Sequence, residues 1–469
     1  MLEEAASKII SFLEEEYERS AYKRCVERGF EVLHFKEIPR TEWGTFPEKF
    51  MSPYSFIIVF IVFLGLSDHS LSGMGTLGIV VALAGFIVGV NLKRMKLPQV
   101  PEKYLYVLLV LFGACLVGML YNWSLFLKLG LVPMVLLFLT RKYTKEVFIT
   151  VFLGSLLVLY RGFWGAALPF TLISLVFLAT VVRSSVVDRN LKVIAFTFLG
   201  VGVLFWVLDV LLFGGFPLVQ PEARRSLDAT FTMLSHLLPI GCVMGIVITK
   251  NRTASMVMVA VSVILMALLG YRTQVVLVML ASCIAALATK VITGAEAGLV
   301  LAGTGGVGLA LTSLRDVILN TGTGVLDAVR TRISVTLDIY DMMANLGGVL
   351  GYTKGQVYVA AVPSLARLMP KYAYSPRWYI AEMVGMNVSA TSTILGPLAV
   401  DFGLVGIGLG MVFLGYLLSR LYERKTALGV SLYSIVLAYS IIGIETGIVD
   451  LEVILIFFLS FLYTLTLKS

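Results

Sequence analysis

Thr393–Lys425, TILGPLAVDFGLVGIGLGMVFLGYLLSRLYERK, decides how the whole chain is read. Its first 26 residues, 393–418, carry one charged group, Asp401. About 20 apolar residues are enough to cross the ~30 Å hydrocarbon layer of a bilayer as a helix. Arg420, Arg424 and Lys425 follow directly. Basic residues gather on the cytoplasmic side of membrane proteins, so this span enters from outside and ends in the cytoplasm.

The pattern recurs along the chain. Spans are expected at roughly 53–70, 74–92, 103–121, 124–140, 146–162, 165–182, 191–213, 229–249, 254–271, 274–292, 296–313, 393–418, 427–447 and 450–467. Lys93, Arg94 and Lys96 follow the second, Arg141, Lys142 and Lys145 the fourth, and Arg183, Arg189 and Lys192 the sixth. Lys250 and Arg252 follow the eighth, and Lys290 ends the tenth. Basic residues at every second junction predict about 14 spans with both termini cytoplasmic. The fold class is therefore all-α: a polytopic transmembrane bundle over 53–469.

Composition agrees. Of 469 residues, 58% are hydrophobic and only 14% charged, against about 25% charged in soluble domains. Mean hydropathy is +0.92. The net charge of +8 is accounted for by the cytoplasmic loops, so no nucleic-acid partner is expected. Cys25, Cys115, Cys242 and Cys283 show no paired spacing and suggest neither a disulfide frame nor a metal cluster. Residues 1–52 form a polar opening segment rather than a signal peptide. Ile9, Ile10, Leu13, Tyr17, Tyr22 and Cys25 give it helical spacing, which suits an amphipathic cytoplasmic helix at the membrane.

Two polar segments stand on the opposite side. One is 214–228, with Glu222, Arg224, Arg225 and Asp228. The other, 314–392, reads as one large extracytoplasmic loop domain, with Arg330, Arg332, Asp338, Asp341, Lys354 and Arg367 in its first part and Lys371, Arg377, Trp378 and Glu382 in its last. Arg272 lies between two apolar runs with room only for a hairpin, and a guanidinium at depth costs roughly 3 kcal/mol, so it should face a polar cavity or snorkel to the interface. Arginine makes forked contacts to phosphate oxygens and keeps its charge. Arg224, Arg225, Arg272 and Arg332 therefore form a candidate diphosphate-binding set. Asp338 and Glu382 are candidate bases for a sugar hydroxyl, in competition with a salt-bridge role for each. Asp338 and Asp341, three apart, share a face if helical. His34, His69 and His236 are too scattered for a metal site, and His236, inside a span, reads as a satisfied helix–helix contact. No Walker motif, no GxGxxG opening a helix and no HExxH motif is present, which disfavours ATP-driven transport and zinc proteolysis.

Gly214-Gly215-Phe216-Pro217-Leu218 followed by Arg224-Arg225 resembles the G-x-P-L…R segment of the O-antigen polymerase, or oligosaccharide repeat unit polymerase, family. Gly270-Tyr271-Arg272 is similar to its G-x-R entry to the next span. Gly351 to Gln356, Val362-Pro363, Pro370-Lys371, Pro376 and then Ser389 to Gly396 with Asp401-Phe402-Gly403 resemble its main outer loop and the start of the following helix. Arg225 to Gly241 and Arg332 to Gly348 both count as Arg-x15-Gly. The match spans roughly 200–420. It departs at Val362-Pro363-Ser364, where the family often has Pro-Arg.

The resemblance implies a GT-C type glycosyltransferase of the plasma membrane with an extracytoplasmic active site. Its donor would be an oligosaccharide on a polyprenyl diphosphate, undecaprenyl or dolichyl, and its acceptor the sugar hydroxyl of a second lipid-linked unit. Tyr352, Lys354, Arg367, Lys371, Arg377 and Trp378 would line the glycan site, with Arg332 among the catalytic groups. Diphosphate is a good leaving group, so neither metal nor other cofactor is expected; membrane lipids are the remaining partners. An O-antigen-ligase-like transfer to another acceptor and a lipid-linked-sugar flippase are the rival readings. Charge gathered on one face, with dissimilar halves, favours an enzyme over alternating access.

Overall fold

The computed structural model describes residues 52–67, 69–92, 184–218, 229–318, 325–361, 375–387 and 389–466. The expected spans over 103–182 and nearly all of the polar opening segment lie outside these residues. Among the described residues all regular structure is helical. The first half contains α1 (Ser55–Gly65), α2 (Gly73–Asn91), α3 (Ser184–Phe213), α4 (Ala229–Ser235), α5 (Leu237–Thr249), α6 (Arg252–Leu268) and α7 (Arg272–Ala288). The second half contains α8 (Gly294–Ile318), α9 (Val325–Gly347), α10 (Gln356–Ala360), α11 (Pro376–Met383), α12 (Leu395–Tyr422), α13 (Ala427–Thr446) and α14 (Leu451–Thr466). Among the described residues, four segments are long and apolar enough to cross a membrane: Gly73–Asn91, Leu191–Phe213, Leu395–Tyr422 and Ala427–Thr446. Helix α3 leaves Leu211 and Leu212 about 70% exposed, as a lipid-facing surface allows (69% and 72%).

Helices α2 and α12 form the tightest pair and run in the same direction. In lipid, helices associate through close backbone approach rather than hydrophobic drive, so small residues mark the seam. A Cβ on Gly85 would meet the Gly408 carbonyl oxygen at 2.7 Å, one on Gly89 would strike the Val412 carbonyl, and one on Gly415 the Phe86 carbonyl. Phe86 stacks on Phe56 of α1 at 5.0 Å, extending the core. Ser419 Oγ donates to the Val90 carbonyl at 3.1 Å at the far end of the same seam. Gly85→Leu is expected to lower the thermal midpoint of the detergent-solubilised protein, through an overpacking cost of about 1–3 kcal/mol. Gly200→Ala in α3, where nothing lies within 4 Å of the added carbon, should cost nothing. Equal midpoints for the two variants would refute the seam.

The polar interval 314–392 is helical in large part. Helix α9 buries Ile333, Leu337, Tyr340 and Ala344 at helical spacing. Tyr340 is fully buried and donates its hydroxyl to the Gly75 carbonyl at 2.8 Å. Helix α9 therefore lies against α2 and α12.

Helix α12 is broken at Gly403, with φ +66° and ψ −157°. Backbone groups freed by a break must find partners when water is excluded. The chain after α9 supplies them. Leu404 N donates to Gly348 O at 3.0 Å and Val405 N to Val349 O at 3.3 Å, while Val400 O accepts from Tyr352 N at 2.7 Å. Asp401 accepts from Thr353 Oγ1 and from the amides of Val357 and Tyr358, both at 3.2 Å, and so holds the N-terminus of α10.

Candidate functional site

The connection from α13 to α14, Glu445-Thr-Gly-Ile-Val-Asp450-Leu-Glu452, carries three carboxylates in eight residues. Helix α13 stops because Gly447 takes a positive φ of 75°. The new helix opens at Asp450, whose carbonyl accepts from Val453 N and Ile454 N, both at 3.1 Å. Each carboxylate meets a basic side chain from a different element. Glu445 pairs with Arg332 of α9, Asp450 with Arg377 of α11 at 2.6 Å, and Glu452 with His236 at 3.1 Å.

His236 stands where α4 gives way to α5. Pro239 has no amide hydrogen to bond back to the Ser235 carbonyl, so the helix breaks three residues earlier. Ser235 Oγ turns back to the Thr232 carbonyl at 2.7 Å, and Thr232 Oγ1 donates to Asp209 at 2.7 Å. Asp209 is thus a buried structural acceptor. The α6–α7 hairpin turns at Gly270, φ +75°. It sets the Tyr271 ring edge-on to His236 at 5.1 Å and places Arg272 as the first residue of α7. Gln274 Nε2 lies 3.4 Å from His236 Nδ1. Arg272 is therefore two residues from a side chain in the same polar cluster.

The other expected residues divide. Asp338 and Asp341 do share a face of α9, and among the described residues they meet His69 and Ser72. Asp338 takes His69 at 3.0 Å. Asp341 accepts from Ser72 Oγ at 2.7 Å and Ser72 N at 3.1 Å, and Ser72 in turn caps α2 through Gly75 N at 3.1 Å. Glu382, Trp378, Lys354 and Tyr352 are exposed. Tyr379, next to Trp378, donates to Gln356 Oε1 at 2.5 Å and ties α11 to α10. Burial, with the Asp401 and Glu382 carboxylates nearby, raises the Tyr379 hydroxyl above its usual range and keeps it a donor. Arg224, Arg225, Arg367 and Lys371 lie outside the described residues. Glu445, Asp450 and Glu452 escaped the sequence reading, although an acidic cluster between two apolar runs was there to be seen. Their basic partners lie 113, 73 and 216 residues away.

The family described as "Putative O-antigen polymerase" matches residues 49–457. The chain belongs to the O-antigen polymerase family. It is also 34% identical over 266 residues to "Uncharacterized protein MJ0419" of Methanocaldococcus jannaschii, covering 54% of this chain and 69% of that protein. No solved structure matches it. As an O-antigen polymerase family member with several long apolar helices, the chain is a membrane protein with a polymerase- or glycosyltransferase-like role.

Proposed function

We propose that this family member polymerises lipid-linked oligosaccharide repeat units at the outer face of a plasma membrane. The sugar hydroxyl of one lipid-linked unit attacks the anomeric carbon of another, and polyprenyl diphosphate leaves. The reading is supported chiefly by the convergence of Arg332 and Arg377 on the α13–α14 turn, with Arg272 beside it. Arg272 and Arg332 of this cluster, with Arg224 and Arg225 proposed as further members of the set, stabilise charge growing on the departing diphosphate. Fixed cationic donors aimed at developing charge are among the strongest catalytic devices. Glu445 neutralises Arg332 while the site is empty, and phosphate oxygens take its place when the donor enters.

Tyr352 and Trp378, 65% and 41% exposed, provide stacking surfaces for the saccharide, with Lys354, Arg367, Lys371 and Arg377 as polar contacts. Because the diphosphate leaves readily, the mechanism calls for no metal. The sidedness follows from about fourteen spans with both termini cytoplasmic. Asp338, engaged by His69, and Glu382 are the carboxylate candidates for the proton acceptor.

The test uses the full chain in proteoliposomes, supplied only with lipid-linked repeat units extracted from membranes. A ladder of product lengths is expected. Single transfer to a different acceptor, without a ladder, would replace this reading by the ligase one. Movement of lipid-linked units without any glycosidic bond formed would replace it by transport.

A further inference from the structure

The geometry points to His236 as the base that takes the proton from the attacking hydroxyl, with Glu452 positioning it; the inference rests on the transferase reading above. Nδ1 of His236 lies 3.1 Å from Glu452 Oε1. A ring nitrogen facing a carboxylate is the one that carries the hydrogen, which leaves the lone pair on Nε2. A carboxylate behind an imidazole both fixes this tautomer and stabilises the imidazolium once formed.

Nε2 is buried, His236 being 7% exposed, and has no hydrogen-bond partner among the described residues. An acceptor left open in a buried polar cluster matches a ligand that brings a hydroxyl donor, as a sugar does. Leaving a buried polar group unmet costs about 1–3 kcal/mol, so an incoming hydroxyl relieves a cost the empty protein bears. An ionisable residue inside a membrane segment is a functional candidate by default.

The surroundings suit the task. Glu452 and Asp450 face the ring from the α13–α14 turn, Arg377 pairs with Asp450, Tyr271 and Gln274 come from the α6–α7 side, and Tyr439 of α13 lies within electrostatic range of Glu452. Asp338, by contrast, already accepts from His69, and Glu382 is exposed to solvent. In the step, the acceptor hydroxyl proton moves to Nε2 as its oxygen bonds to the anomeric carbon. The bond from that carbon to the diphosphate oxygen breaks, and its electron pair leaves with the diphosphate. The imidazolium afterwards returns its proton to water.

The experiment measures ladder formation by the full chain in proteoliposomes, with undecaprenyl diphosphate binding as the check on folding. His236→Gln should lose roughly 10²–10⁴-fold in kcat with KM for the donor unchanged. His236→Ala should regain rate when imidazole is added, and His236→Gly serves if the alanine variant does not bind the lipid. Glu452→Gln should fall by more than roughly tenfold, while Glu452→Asp keeps part of the rate. A His236→Gln protein as fast as the parent overturns the assignment. So does a loss that imidazole does not restore in a lipid-binding variant, or one that comes with a raised KM. If the parent chain itself builds no ladder, the transferase reading falls first and the base falls with it.

Discussion

Arg332→Ala is expected to cut polymer formation by roughly 10²–10³-fold, the scale seen when one preorganised donor to a developing anion is removed. The same substitution should barely touch stability. Arg332 and Glu445 are about half and a third exposed, and exposed ion pairs contribute only about 0–1 kcal/mol. Activity and stability therefore separate cleanly at this position. Arg332→Lys keeps the charge but loses the fork that grips two phosphate oxygens, so an intermediate rate is expected. Glu445→Gln removes the carboxylate that competes with phosphate for the guanidinium and should lower KM for the lipid-linked donor. The Arg332→Ala/Glu445→Ala double variant separates two roles. If Arg332 served only to neutralise Glu445, removing both would restore the rate; a diphosphate ligand stays lost. Arg272→Ala should behave like Arg332→Ala. Normal ladders from both single variants would end the assignment of these arginines.

Much of the bundle was legible because its signals are local. A charge-poor run of membrane length is a property of neighbouring residues, and α2 and α13 fall within one residue, α12 within four, of the expected bounds. Polar composition marks out the interval 314–392 but does not tell which part of it packs. Ile333, Leu337, Tyr340 and Ala344 recur every three or four residues, and that period, not the average polarity, set α9 against the bundle. Pro239 marks a break in the same local way: it has no amide for the Ser235 carbonyl, and α4 and α5 divide the expected span 229–249 at His236.

The site was less legible because its partnerships are long-range. The shared face of Asp338 and Asp341 follows from three-residue spacing, but that the face meets His69 and Ser72 depends on a contact across 269 residues in the case of Asp341. Arg272 and Arg332 drew notice as cations on the side where cations are scarce. Glu445 and Glu452 drew none, since acids at the ends of apolar runs are unremarkable until their partners are known. His236 read as an ordinary helix contact; one of its nitrogens makes such a contact and the other has no partner among the described residues.

Gly403→Val should be the most damaging single substitution for the fold itself. The conformation at Gly403, φ +66° with ψ −157°, is nearly closed to residues with a side chain, at a cost of order 1–3 kcal/mol. A Cβ there would also run into the carbonyl of Val349 and the amide of Leu350. Those atoms belong to the segment whose carbonyls satisfy Leu404 N and Val405 N, so strain at Gly403 opens both bonds at once. Buried amides left unmet add about 1–3 kcal/mol each. The combined effect exceeds the ordinary range for a point substitution, and the folded yield in detergent should collapse. Gly403→Ala tests the conformation with the smallest possible side chain and should still lower the thermal midpoint sharply, whereas Gly200→Ala should not. Asp401→Asn leaves the kink intact but weakens the acceptor for Thr353 and the α10 amides. A milder loss is expected there, with proteolysis appearing first at 351–361, since α10 would lose its anchor while α12 kept its break. A Gly403→Ala protein as stable as its parent would mean that α12 can run straight through, and that the segment after α9 is held to the bundle by something other than the break.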